Sequence, residues 1–64
     1  MPLSPFKKNG VQFFAVKQYE EAIKYFDKAI EINSEDDDSW AARGKCKFRL
    51  KQYEEAIKDF DKAI

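Results

Sequence analysis

The chain has 64 residues, and its 12 basic and 12 acidic side chains give a formal net charge of zero. A neutral chain has no strong overall field to draw it onto nucleic acid or an anionic membrane, so such binding would need a local patch. A hydrophobic content of 44% excludes a disordered polar chain, and a chain of about 60 residues supports one small core with little room for an enclosed active site.

Residues 4–32 predict two helices. Ser4 is a favourable N-cap for the first, and Pro5 suits the first helical position because its missing N–H would have no partner there. The second helix contains residues 19–30 and continues through Glu31 and Ile32, with Glu20 placed four residues before Lys24 on a charged, solvated face. Its apolar residues step by three and one positions, so they form a single stripe: Tyr19, Ala22, Ile23, Phe26, Ala29 and Ile30.

An acidic loop, residues 33–39, leads to a third helix. Acidic and hydroxyl side chains precede Trp40, where they interact favourably with the positive end of the helix dipole. Calcium binding is an alternative for this loop, but the turn glycine and terminal glutamate of an EF-hand are absent. No proline interrupts the loop, so a second alternative is that the second and third helices fuse and open the monomer into a domain-swapped dimer.

The third helix carries a run of basic residues without an intervening acid. Helical spacing separates these bases into two groups, so they do not form one stripe. Binding to backbone phosphates is an alternative function for this helix, and it would weaken steeply with salt. Phe48 is the only aromatic residue among the bases, so the sequence gives little indication of stacking with nucleic-acid bases. The run consists of Arg43, Lys45, Lys47, Arg49 and Lys51.

The fourth helix repeats the second. Residues 51–64, KQYEEAIKDFDKAI, match residues 17–30 at 13 of 14 positions, and the one difference is Tyr25 against Asp59. The offset is 34 residues, from Lys17 to Lys51. The chain is therefore a 34-residue unit present almost twice. The same offset aligns Phe6 with Trp40, Gly10 with Gly44 and Phe14 with Phe48.

This unit resembles the tetratricopeptide repeat, a helix-turn-helix solenoid unit of about 34 residues. The resemblance implies an all-α fold of four helices, with antiparallel helix-turn-helix pairs stacked as a short right-handed α-solenoid. It implies a single domain over residues 1–64, with repeat one at about 3–36 and a truncated repeat two at about 37–64. The matching residues are Phe6, Gly10, Phe13, Tyr19, Ala22, Phe26 and Ala29 in the first unit, and Trp40, Gly44, Tyr53, Ala56, Phe60 and Ala63 in the second.

Two features of the repeats carry structural expectations. The glycines, Gly10 and Gly44, would let the paired helices approach closely. Arg43 and Lys47 replace a leucine and a tyrosine of the family pattern. We expect their stems to lie along the edge of the core with the charges in water, so that the second repeat packs less tightly. In addition, Ser34 replaces the closing proline of the pattern, which is why no proline interrupts the loop after the second helix.

The resemblance implies a non-catalytic protein-interaction module. In this family the first helix of each unit lines a concave groove that receives an extended peptide. A basic groove with two aromatic rings would suit an acidic, partly apolar peptide segment. The resemblance assigns the groove to Lys7, Val11, Phe14 and Ala15 of the first unit and to Ala41, Lys45, Phe48 and Arg49 of the second.

One subfamily uses a carboxylate clamp for the acidic C-terminal tails of cytosolic chaperones. Lys7 matches the first clamp lysine, but Val11 and Ala42 stand where the clamp asparagines would be. The third repeat that completes the clamp is also absent from this sequence. We therefore expect Lys7 to be an ordinary exposed lysine rather than part of a clamp.

No catalytic, metal or cofactor site is predicted. Cys46 is the single cysteine and histidine is absent, so neither a disulfide nor the usual zinc ligand sets can form. We expect Cys46 to be a packed thiol. The first residues lack the basic and apolar regions of a signal peptide, which predicts a soluble, cytoplasmic protein without a membrane partner.

The last helix predicts an open apolar face. Solenoids usually need three or more repeats and a polar terminal cap, so two repeats are typical of a fragment or of a self-associating piece. The alternative function is therefore a structural piece of a longer solenoid that forms homodimers or higher oligomers. Its self-association face would consist of Tyr53, Ile57, Phe60 and Ile64.

Overall fold

The structure, a computed structural model, describes residues 5–63 and consists of four helices. They are α1 (Pro5–Ala15), α2 (Tyr19–Ile32), α3 (Asp37–Arg49) and α4 (Tyr53–Ala63). Helix α1 packs on α2, α3 packs on α4, and α2 joins the two hairpins by packing on α3. The predicted all-α fold of helix-turn-helix pairs is confirmed. The predicted cap at Ser4 and the predicted face residue Ile64 lie outside the described residues.

The turns inside the two hairpins have the same backbone geometry. In the first, the N–H of Gln18 donates to the carbonyl of Phe13 at 2.9 Å, and Lys17 has φ 66°. The second turn repeats this arrangement with Gln52 as the donor, and Lys51 also has φ 66°. This is a Schellman motif with lysine at the left-handed position that glycine usually occupies. It ends α1 and α3 sharply and reverses the chain.

The acidic loop between the hairpins is a turn that caps α3. Asn33 is extended after the end of α2, and Asp36 is the N-cap of α3. One Asp36 carboxylate oxygen accepts from the N–H of Asp38 at 3.2 Å, and the other accepts from the hydroxyl of Ser39 at 3.0 Å. The chain therefore turns between α2 and α3, unlike the alternative with one fused helix.

The core lies where α1, α2 and α3 meet. Its centre is the buried cluster of Ala22, Phe26 and Cys46. A methyl group at Gly10 would lie 2.7 Å from the ring of Phe26, so the absence of a side chain is what lets α2 approach α1. Gly44 has the same relation to Phe60, at 2.8 Å. The close approach expected at both glycines is present.

The expectation that Arg43 and Lys47 place their charges in water is wrong. Arg43 donates to the carboxylate of Asp59 from Nε at 3.0 Å and from Nη2 at 2.9 Å. Lys47 Nζ lies 3.2 Å from the same carboxylate, and the Asp59 side chain is only 4% exposed. Both cations are mostly buried because the one position that differs between the repeats supplies a buried acid. The second repeat was expected to pack less tightly because these charges would be in water, and that reason does not apply.

Candidate functional site

A groove runs between α1 and α3, and its lining includes Phe26 of α2 and Phe60 of α4. It consists of two adjoining depressions that share Phe14 and Lys45. The first depression is lined by Val11, Phe14, Phe26, Ala42 and Lys45. The second is lined by Phe14, Lys45, Phe48, Arg49 and Phe60. The structure thus brings together five of the predicted groove residues, and it adds Phe26, Ala42 and Phe60.

The two groove phenylalanines are held in the same way. Phe14 meets Tyr19 edge to face with ring centroids 5.4 Å apart, and Phe48 meets Tyr53 with the same separation. Edge-to-face contact is a favoured geometry for aromatic pairs. Each tyrosine begins the second helix of its own hairpin, so the Schellman turn brings it back against the phenylalanine. Phe48 nevertheless remains 54% exposed and offers an apolar surface to a ligand.

Lys45 and Arg49 give the groove its positive charge. They are four residues apart on α3 and therefore lie on one face of that helix. Both are exposed, and neither is paired with a carboxylate of residues 5–63. Their charges stand beside the Phe48 ring, which lies in the same depression. The arrangement can bind an anionic group next to an apolar one.

Lys7 lies one turn before Val11 on α1, and its charge is already engaged. Its Nζ is 3.3 Å from Asp36 Oδ1 and 3.3 Å from Asp38 Oδ2. Burial alone would lower the pKa of Lys7, but its hydrogen bonds to these carboxylates raise it above the ordinary value. Lys7 therefore ties α1 to the start of α3. Of the predicted groove residues, three do not line either depression, namely Lys7, Ala15 and Ala41.

A buried ion-pair network occupies the opposite side of α3, and sequence reasoning missed it. Arg43 donates from Nη1 to Asp27 on α2 as well as to Asp59 on α4, so it links the two repeats. Hydrogen bonds to Asp59 raise the pKa of Arg43 against the opposing effect of burial. Lys47 pairs with Asp59 and lies 3.8 Å from Glu55. The sequence signal for this network was the difference between Tyr25 and Asp59. It introduces an acid opposite two bases, Arg43 and Lys47, that depart from the family pattern.

Cys46 is a packed thiol, as predicted. It is fully buried beside Ala22 and Phe26. Burial raises the pKa of the Cys46 thiol to about 11, so the reactive thiolate is scarce at neutral pH. This environment suits packing rather than nucleophilic chemistry.

Across residues 5–63, no helix is both long and apolar enough to cross a bilayer. The same stretch of chain has no group of three or more His, Cys, Asp or Glu side chains arranged to hold a metal ion.

Comparison with known proteins identifies the repeat. The family model described as the tetratricopeptide repeat matches twice, at residues 7–36 and 38–64. Comparison with curated proteins and with solved structures gave no match. Each matched segment contains one helix hairpin of the structure, and together they span nearly the whole sequence. The chain therefore belongs to the tetratricopeptide-repeat family.

Proposed function

We propose that the chain is a protein-interaction module that binds an acidic, partly apolar peptide segment in the groove between α1 and α3. Tetratricopeptide repeats generally mediate protein-protein interaction and are not catalytic. The observation that carries the finer proposal is the position of two bases, Lys45 and Arg49, beside the exposed ring of Phe48. Within residues 5–63, neither base pairs with a carboxylate.

The shape of the groove favours an extended peptide over a small molecule. The two depressions have volumes of about 200 Å³ and 320 Å³, and both are open to solvent. Small-molecule sites enclose most of the ligand surface, which these depressions do not. Successive side chains of an extended segment could instead occupy them in turn, with the shared Phe14 and Lys45 between them.

The ligand chemistry follows from the groove side chains. Phe14 and Phe48 would bury an apolar side chain of the peptide. Lys45 and Arg49 would form charge-assisted hydrogen bonds with its Asp or Glu carboxylates, and the planar guanidinium of Arg49 suits bidentate pairing. Lys7 would contribute only if a ligand displaced the carboxylates of Asp36 and Asp38. We therefore assign binding mainly to the α3 bases, unlike a clamp centred on the first helix.

The charge distribution favours a peptide over nucleic acid. Of the five bases in the run, Arg43 pairs with Asp27 and Asp59, and Lys47 pairs with Asp59 and Glu55. The positive surface that remains at the groove is short, whereas nonspecific binding to a phosphate backbone draws on many bases. The other alternative, self-association, would use Tyr53 and Ile57 of α4, which do not line the groove, whereas Phe60 of the same predicted face does line it.

A titration followed by heteronuclear NMR tests the proposal. The probe is a synthetic acidic octapeptide of alternating glutamate and leucine, and the control peptide has glutamine in place of every glutamate. We expect shift changes at Phe14, Lys45, Phe48 and Arg49 with the acidic peptide only. Arg49→Glu should weaken its binding about tenfold or more, while Lys8→Glu, an equal charge change outside the groove, should leave it unchanged.

Three results would contradict the proposal. The first is binding that is equal for the two peptides, and the second is binding that is equally sensitive to Arg49→Glu and Lys8→Glu. The third is tighter, steeply salt-dependent binding of an RNA or DNA oligomer, which would support the nucleic-acid alternative. A rise of mass with protein concentration that Arg49→Glu does not change would support self-association.

A further inference from the structure

The two nearly identical helices, α2 and α4, differ in what covers them. Tyr19 and Ile23 of α2 are half-buried at the edge of the core. Their equivalents in α4, Tyr53 and Ile57, are 50% and 58% exposed. The residues are the same, so the difference in exposure comes from their neighbours. Helix α3 covers this surface on α2, and nothing in residues 5–63 covers it on α4. We call this exposed surface, formed by Tyr53, Ile57 and Asp61, the α4 face.

The contact between α2 and α3 shows which kind of helix fits such a face. Ala42 and Cys46 are small residues four positions apart on α3, and they pack into the core cluster formed with Ala22 and Phe26 of α2. Small side chains at this spacing let two helices approach closely along one stripe. The residue directly after Ala42 is Arg43, which pairs with the acid of α2, Asp27.

The α4 face also contains the acidic half of that ion pair. Asp61 is the equivalent of Asp27 at the 34-residue offset. It is exposed, and no cation of the described residues pairs with it. The α4 face therefore reproduces both the apolar and the charged features that α3 recognises on α2.

We propose that the α4 face binds a partner helix with the pattern of α3, namely two small residues four positions apart and an arginine directly after the first. The small residues would pack over Tyr53 and Ile57, and the arginine would pair with Asp61. This surface shares no lining residue with the groove, although Tyr53 contacts the groove residue Phe48. The inference does not depend on the proposed peptide ligand.

A second copy of the chain does not present such a helix. In α1 the positions of Ala42, Arg43 and Cys46 are held by Lys8, Asn9 and Gln12. Stacking α1 of one copy on α4 of another would bury a lysine and a glutamine without partners, which is costly, and would leave Asp61 without its arginine. The equivalent face of α3 is already covered by α2 within the chain. The outer face of α1 therefore makes head-to-tail assembly of two copies unfavourable.

A pair of complementary full-length variants tests the inference. The first chain is wild type, with its α4 face intact. The second carries Lys8→Ala, Asn9→Arg and Gln12→Ala, which give α1 the α3 pattern, together with Ile57→Asp, which blocks its own α4 face. Lys8, Gln12 and Ile57 are exposed, so we expect the variant to fold, and circular dichroism checks this. The matched control carries Ile57→Asp alone.

We expect sedimentation of the mixture to show a one-to-one complex of the wild type with the four-substitution variant, at least about tenfold tighter than any complex with the control. NMR shifts on the labelled wild type should centre on Tyr53, Ile57 and Asp61. Asp61→Asn in the wild type should weaken the complex by about threefold, as for an exposed ion pair. The inference is overturned if both variants bind equally or not at all, if the shifts lie in the groove, or if wild type dimerises through Ile57 by itself.

Discussion

Lys47 and Asp59 pair at 3.2 Å in the second repeat at the positions where Phe13 and Tyr25 stack at 5.3 Å in the first. The helix that contains Asp59 otherwise matches its counterpart over residues 51–64, and the difference at position 59 faces a matching difference at position 47 of the neighbouring helix. An apolar contact between two helices has become a charged one, and Arg43 extends it to Asp27 in the neighbouring repeat.

Removing the acid at position 59 should strongly destabilise the chain. Asp59→Asn would leave Arg43 and Lys47 mostly buried without their shared carboxylate, and breaking a buried pair in this way costs about 3 kcal/mol. Urea unfolding followed by circular dichroism measures the change. Asp61→Asn, an exposed position two residues away, is the control and should change the free energy of unfolding by less than about 0.5 kcal/mol. Equal effects of the two substitutions would contradict a structural role for the network.

Transferring the aromatic pair into the second repeat should recover most of that loss. In Lys47→Phe/Asp59→Tyr the two rings would stack as in the first repeat, and Arg43 would retain Asp27 as its partner. Well-packed apolar replacements of buried ion pairs are often neutral or stabilising. We expect the double variant to unfold within about 1 kcal/mol of wild type, whereas each single variant is clearly less stable. A double-mutant cycle measures this coupling, and additive single effects would show that the two positions act independently.

The two repeat glycines should respond differently to alanine. Alanine is the better helix former by about 1 kcal/mol, but at Gly10 its methyl group would lie 2.7 Å from the ring of Phe26. That ring is fully enclosed, so overpacking should outweigh propensity and destabilise the chain by about 2 kcal/mol. At Gly44 the methyl group would lie 2.8 Å from the ring of Phe60 and 3.2 Å from the carbonyl oxygen of Ala56. The Phe60 ring is only half-buried, so a small shift of this ring should cost less than a shift of Phe26. Thermal unfolding should rank Gly10→Ala well below Gly44→Ala, and the reverse order would contradict this assignment of the core.

The 34-residue repetition was sufficient to predict four helices and the approach at both glycines, because these depend on apolar spacing and residue size. The assignment of the groove residues rests on the family resemblance rather than on spacing, and of these residues Val11, Phe14 and Phe48 line the two depressions. Sequence reasoning did not find the partners of Arg43 or Lys7. Spacing identifies the face of a helix on which a base lies, but the carboxylate it meets depends on how that helix packs against its neighbours, and for Lys7 the partner is 29 residues away.

The cap of α3 should make stability depend on acid pH. Burial favours the neutral form of Asp36, but hydrogen bonds from Ser39 and Lys7 hold its pKa below the ordinary value. Its ionised form therefore stabilises the fold above the unfolded-state pKa of about 4, and this stabilisation is lost as pH falls through the lower folded-state pKa. We expect Asp36→Asn to reduce the fall in melting temperature below about pH 4. Asp38→Asn removes the more exposed partner of Lys7 and should change that fall less, so equal profiles for the two variants would contradict the role of Asp36.

Glycine at the left-handed position of either Schellman turn should stabilise the chain. Lys17 and Lys51 both have φ 66°, which costs a residue with a Cβ atom about 1 kcal/mol or more and costs glycine almost nothing. Part of the gain is offset because glycine has more freedom in the unfolded chain. We therefore expect Lys17→Gly and Lys51→Gly each to raise the free energy of unfolding by up to about 1 kcal/mol, measured in urea. Lys24→Gly, in the interior of α2, should lower it by about 1 kcal/mol, and a loss of stability at all three positions would show that the lysines make contacts worth more than the backbone strain.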